Sequence, residues 1–255
     1  MKVVEKPTGF FRNPFGLLCV VALVMALFTQ IRCSVRWSYL RGFAESIVPL
    51  DGAPPEKVEA LLRYFRHHPP RLKTDPNKWR EEPEATEVLR HEELLRTCGS
   101  SAVAFVFLAS SLDIPARSLL LLNERGVVRH VAAEVWLDGR WVVVDPAFGM
   151  AMKDKGGRWL SKEELKNPES LRSATRNIPY PYTFDRTAYI NWRKLPLVGE
   201  RIGRWLRRHG LEERLGRPLW LDSPDLAHFY FWLGLSCLSG GLFLRQYIRR
   251  REKGA

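Results

Sequence analysis

Cysteine is scarce in this chain: four in 255 residues, Cys19, Cys33, Cys98 and Cys237. None has the paired spacing that a zinc site or a disulfide framework requires. Acidic residues also run short, 28 against 40 Lys and Arg, which leaves a formal charge of +12. No acidic loop of the kind that cages calcium is present. Internal repeats and low-complexity tracts are absent, so repeat architectures are set aside. The pair His67-His68 runs into Pro69-Pro70 and reads as a loop, not as two ligands.

Two long apolar runs stand out against that background. Residues 15–31 and 226–244 are about 17 and 19 residues long, near the length needed to cross a bilayer. The first carries no charge, and only His228 is ionisable in the second. The basic start (Lys2, Lys6, Arg12) would also suit a secretory signal, but no small-residue cleavage site follows, so the reading is an uncleaved anchor. The second run meets Arg245, Arg249, Arg250 and Arg251, as a span meets an anionic cytoplasmic surface. Two spans put both termini on one side, and this tail places the intervening domain outside the cytoplasm. Residues 199–217 hold six arginines interleaved with Ile202, Trp205, Leu206, Leu211 and Leu215, at helical spacing broken at Gly210. Such a stretch suits a bilayer interface. Much of the positive charge is therefore juxtamembrane, and no nucleic-acid module accompanies it.

The expected organisation is a tail (1–14), a span (15–31), a membrane-proximal region (32–83), a core (84–160), an extension (161–225), a second span (226–244) and a basic tail (245–255). Within it, helices are expected at 54–67, 84–96 and 99–112. Strands are expected at 116–123, 127–137 and 141–145. Residues 69–79 read as a loop. Ser161 and Glu164 have the spacing of a capping box. Residues 177–183, with Pro179 and Pro181, read as an extended connector.

Cys98 opens the buried-type helix, where the positive end of the helix dipole favours a thiolate. Downstream lie His130 and Asp145, one at the start of a strand and one at the end of the next. Asp138-Gly139 between them is a two-residue hairpin signal. That turn pairs Leu137 with Arg140, Trp136 with Trp141 and Glu134 with Val143. His130 and Asp145 then share one face, diagonal to each other at roughly 7–8 Å. A slip of one residue would separate them. An imidazole can take the thiol proton and later return it, and a carboxylate fixes the ring's tautomer. Arg117 and Glu134 read as a structural ion pair.

The ordered set Thr97-Cys98-Gly99-Ser100-Ser101-Ala102, Leu112-Asp113-Ile114-Pro115, Arg129-His130-Val131-Ala132 and Trp141-Val142-Val143-Val144-Asp145-Pro146 resembles the transglutaminase-like superfamily. The resemblance covers roughly residues 90–149. It implies an α+β, papain-like core in which a cysteine-bearing helix packs on an antiparallel sheet. It also implies that Cys98 is the nucleophile, His130 the general base and acid, and Asp145 the orienter. Many members place a glycine two residues before the cysteine, where this chain has Arg96, and an aromatic or small residue after the histidine, where it has Val131. The backbone N–H of Cys98 is the candidate oxyanion donor. The resemblance implies acyl transfer or hydrolysis on a peptide, protein or other amide, with no metal or cofactor. The alternatives are an inactive scaffold with the same fold and a membrane-complex component whose spans carry the function.

Overall fold

The computed structural model describes residues 13–66, 85–90, 97–175, 178–192 and 199–254. The chain divides into two compact units, residues 37–222 and a second made of residues 1–36 with 223–255. The loop expected at 69–79, the His67-His68 pair and Asn177 lie outside the described residues.

The larger unit is α+β. Five antiparallel strands, β1 (Ala116–Leu122), β2 (Val128–Leu137), β3 (Arg140–Asp145), β4 (Met150–Ala151) and β5 (Thr187–Ala188), form one sheet in the order β4-β3-β2-β1-β5. The β2–β3 register pairs Leu137 with Arg140, Trp136 with Trp141 and Glu134 with Val143, as the hairpin turn predicts. Asp138 and Gly139 both adopt positive φ, +50° and +78°, the conformation a tight hairpin turn demands. The two-residue strands β4 and β5 were not expected; each is too short to show an alternating pattern.

Helix α4 (Cys98–Ser111) is apolar on nearly all sides and buried along its length. Its residues Phe105, Val106 and Leu108 pack with Ala133, Val135, Val142 and Val144 from one face of the sheet. Helix α1 (Pro14–Ile47) contributes Leu40 and Ala44 to that core, and helix α2 (Pro54–Arg66) contributes Val58, Leu61 and Phe65. The opposite face carries Leu119, Leu121, Ala132 and Val143, covered by Met152, Leu160, Leu165 and Phe184. Strand alternation thus builds two cores from one sheet.

Only residues Ala85–Arg90 of the helix expected at 84–96 are described, as helix α3. Ser161 and Glu164 form the capping box: Glu164 Oε2 accepts the Ser161 N–H at 2.8 Å, and the Glu164 N–H reaches Ser161 Oγ at 3.4 Å. The turn leads into helix α5 (Pro168–Thr175). The basic stretch folds as helix α6 (Gly199–Arg208) and helix α7 (Leu211–Leu215), broken where Gly210 takes φ +64°.

The second unit is an antiparallel helical hairpin, the first part of α1 against helix α8 (Pro224–Gly254). Asn13 donates to Gln246 at 2.9 Å, Cys19 meets Ser236 at 3.6 Å, and Arg36 pairs with Asp225 at 2.6 Å. Small residues (Ala22, Ala26, Ser236, Ser239) are buried, whereas Val24 and Leu27 are 59 % and 62 % exposed. A soluble core helix would bury such side chains; a lipid-facing one exposes them. Both helices are long and apolar enough to cross a membrane. Each also runs beyond its expected span: α1 continues to Ile47 and α8 takes in the basic tail. No proline interrupts either continuation.

Candidate active site

Cys98 is the first residue of α4, after Thr97 in an extended conformation. Thr97 turns its hydroxyl to Ser100 Oγ at 2.7 Å and makes no side-chain cap to the helix backbone. The body of α4 packs on one face of the sheet, while its first residue reaches the imidazole carried by the other. The Cys98 side chain hydrogen-bonds the His130 ring, and the Nε2–H of that ring donates to Asp145 Oδ2 at 2.5 Å. With Nε2 engaged by the carboxylate, Nδ1 is the nitrogen left to serve the sulfur. The three side chains expected to meet are therefore brought together.

Their surroundings are dry. His130 and Asp145 are fully buried and Cys98 is half-buried. A buried carboxylate needs its lone pairs filled. Asp145 Oδ2 also accepts the Tyr180 hydroxyl at 2.8 Å, and Oδ1 accepts the Phe148 N–H at 3.3 Å across the 3-10 turn Pro146–Phe148. Burial opposes charge on the His130 ring. Hydrogen bonding to Asp145 and Cys98, with their charges, outweighs it and raises the ring above its ordinary 6.5. Burial and the adjacent Asp145 push the Tyr180 phenol well above 10, so it stays a donor throughout the working range.

An aromatic wall completes the site. Tyr182 stacks on His130 at 4.1 Å and 7°, and Phe148 and Tyr180 meet the ring edge-on at 5.7 and 6.0 Å. Sequence reading missed both tyrosines because residues 177–183 looked like a mere connector. The signal was there: Pro179 and Pro181 hold the chain extended, so alternate residues Tyr180 and Tyr182 project to one side.

Gly149 closes the turn after Asp145. Its carbonyl accepts Arg66 Nε and Nη2 at 3.1 and 2.9 Å, and its φ is +57°. A Cβ there would lie 2.7 Å from the Arg66 Cα. This close approach holds the end of α2 against the loop that aims Asp145.

Arg117 and Glu134 form the structural pair expected. Glu134 Oε2 accepts Arg117 Nε at 2.7 Å and the Tyr189 hydroxyl at 2.9 Å. The guanidinium lies between Trp141 and Tyr189, at 4.0 and 4.2 Å, and donates to the Glu213 carbonyl at 2.8 Å. Lys162 reaches both Tyr189 and Glu213. The network ties α7 to the sheet. Among the described residues no three His, Cys, Asp or Glu side chains are grouped to hold a metal ion.

A cysteine at a helix start, a histidine and an aspartate on neighbouring antiparallel strands, and a helix packed on that sheet together make an α+β core. The family model of the transglutaminase-like superfamily matches residues 41–146. Those residues are similar to a transglutaminase-like domain, and Cys98, His130 and Asp145 all fall within the match. It begins inside α1, well before residue 90, where the resemblance starts to be readable. No curated protein and no solved structure matches the chain.

Proposed function

We propose that this is a membrane-anchored thiol enzyme that opens peptide or other amide bonds through a thioester on Cys98. One observation carries the reading: a buried imidazole bonded to Asp145 and to the Cys98 side chain, with its ring raised above 6.5. An imidazolium favoured in that position stabilises a thiolate beside it. The thiolate attacks the amide carbonyl carbon, the C–S bond forms, and the backbone N–H of Cys98 donates to the developing oxyanion. Collapse breaks the C–N bond, and His130 gives its proton to the departing amine. Water or an amine then attacks the thioester, losing its proton to His130 as the C–S bond breaks and the thiolate returns. Asp145 holds the ring in the tautomer both half-reactions need. This chemistry asks for no metal or cofactor.

A non-catalytic scaffold is the second reading, favoured by the complete enclosure of His130. Half-buried Cys98 is then the point of entry to test. The full chain is incubated with a glutamine- or amide-bearing peptide and hydroxylamine. The enzyme reading expects a peptide hydroxamate that disappears in Cys98→Ala; no hydroxamate from any amide in a diverse peptide panel supports the scaffold. The basic end of α8 supports an extracytoplasmic domain, so protease added outside sealed cells should cut within residues 37–222; protection there reverses the orientation.

A further inference from the structure

Outside the thiol site, the sheet ends in a groove of about 790 Å³ between the β1–β5 edge, the β1–β2 turn and α6. That volume lies in the range of small-molecule sites, roughly 300–1,000 Å³. Its floor is apolar, made by Leu120, Leu122, Val128 and Trp192. Its rim carries five cations, Arg125, Lys166, Arg186, Arg204 and Arg207, against the single carboxylate of Asp185. Gly203 sets the spacing: a Cβ there would lie 2.4 Å from Trp192 Cγ, so α6 rests its backbone directly on the indole. Arg204 and Arg207, three apart on that helix, then share the rim.

The charge is only partly compensated within the protein. Lys166 pairs with Glu163 at 2.5 Å and Arg207 with Glu212 at 3.3 Å. Arg186 spends one nitrogen on a neutral carbonyl, that of Glu124, at 2.5 Å. The Arg125 guanidinium has no ion-pair partner among the described residues. Fixed cations around an apolar floor suit an anion that carries its own apolar part. Guanidinium groups bind phosphate oxygens in forked, charge-assisted pairs. The helix that supplies two of the cations also exposes Ile202 (44 %) and Trp205 (55 %), the composition of a helix at a lipid interface. A chain with two membrane-spanning helices lives among such amphiphiles.

We infer that the groove binds the phosphate headgroup of an anionic phospholipid, with the start of the acyl chain on Leu120, Leu122 and Trp192. An acidic peptide could use the rim but would leave the floor unfilled. Free phosphate would do the same. The site is independent of the thiol chemistry, and its test reads no turnover.

The test is titration calorimetry of the full chain in neutral detergent with dioctanoyl phosphatidylglycerol. Parallel arms use dioctanoyl phosphatidylcholine, inorganic phosphate and a hexaglutamate peptide. Saturable binding of the glycerol lipid is expected, weakened by added salt. Arg125→Glu with Arg204→Glu should weaken it about tenfold or more, the scale of one lost charge-assisted contact. Arg201→Glu with Arg208→Glu makes the same charge change, on α6 but off the groove, and should leave affinity within about twofold. Unchanged melting temperatures in both pairs keep the comparison one of binding. Equal binding of phosphatidylcholine, tighter binding of phosphate or hexaglutamate, equal loss in both variant pairs, or no binding at all would each overturn the inference.

Discussion

Replacing Tyr180 by Phe removes one oxygen from the site and leaves the rest of its packing in place. The ring still meets Phe148 at 5.1 Å and Tyr182 at 5.4 Å and lies parallel to Phe184 at 6.3 Å. What is lost is the 2.8 Å bond to Asp145 Oδ2. A hydrogen bond to a charged group has a net value of about 1.5–3 kcal/mol. Asp145 is fully buried, so no water replaces the missing donor, and the cost belongs in the upper half of that range. For a chain of this size each kcal/mol moves the melting point by about 2–4 °C, so Tyr180→Phe should melt about 5–12 °C lower. Tyr180→Leu, which also removes the ring, gives the reference for lost packing. The assay is thermal unfolding of the full chain in detergent, followed by intrinsic fluorescence at neutral pH. A Tyr180→Phe protein that melts within about 1 °C of the parent would refute the argument that the phenol holds the carboxylate.

The His130 shift sets a pH dependence whose sign is fixed. A ring raised above 6.5 contributes stability that is complete below 6.5 and is lost as pH rises through the raised value. Chemical denaturation across that window should show this slope in the parent and a reduced one in Asp145→Asn; the alkaline limb of any activity profile should move to lower pH in the same variant, and coincident profiles would contradict it. Arg117→Ala leaves Glu134 buried without its cation and should cost about 3–5 kcal/mol in unfolding experiments. Arg117→Lys should not restore it, because a single ammonium nitrogen cannot span the separate acceptors Glu134, the Tyr189 hydroxyl and the Glu213 carbonyl, which three guanidinium nitrogens reach at 2.7, 2.7 and 2.8 Å, or fill the space between Trp141 and Tyr189. Gly149→Ala combines a left-handed backbone with a clash on Arg66 and should destabilise by about 1–3 kcal/mol. Gly149→Asn should recover only part of that loss, since Asn tolerates the left-handed backbone but keeps the clash; a parent-like melting curve for either would show that the loop yields.

The hairpin was the most legible part of the chain. Asp138-Gly139 fixes the turn, the turn fixes the register, and the register fixes which side chains share a face. The turn alone therefore puts His130 and Asp145 on one face. The apolar run after Cys98 likewise announces a fully buried helix, because no polar stripe is available for solvent. Other features depend on partners far away in sequence. Strands β4 and β5 exist because β3 and β1 offer edges to pair with, not because two residues carry a strand pattern. Tyr180 and Tyr182 become part of the site only when their proline-held segment folds over it, across 35 residues from Asp145. The lengths of α1 and α8 exceed the apolar runs because helix does not stop where hydrophobicity stops; it stops at a breaker or cap, and none follows either run closely.

The central claim is that His130, held by Asp145, makes the Cys98 sulfur nucleophilic. Its most direct measurement is the rate of iodoacetamide alkylation at each cysteine of the folded full chain at about pH 6, where an ordinary thiol is protonated, read by mass spectrometry. The account predicts that Cys98 is alkylated well ahead of Cys19, Cys33 and Cys237, and that His130→Gln removes that lead. A Cys98 no more reactive than the other three, or one whose rate is unchanged by His130→Gln, would contradict it.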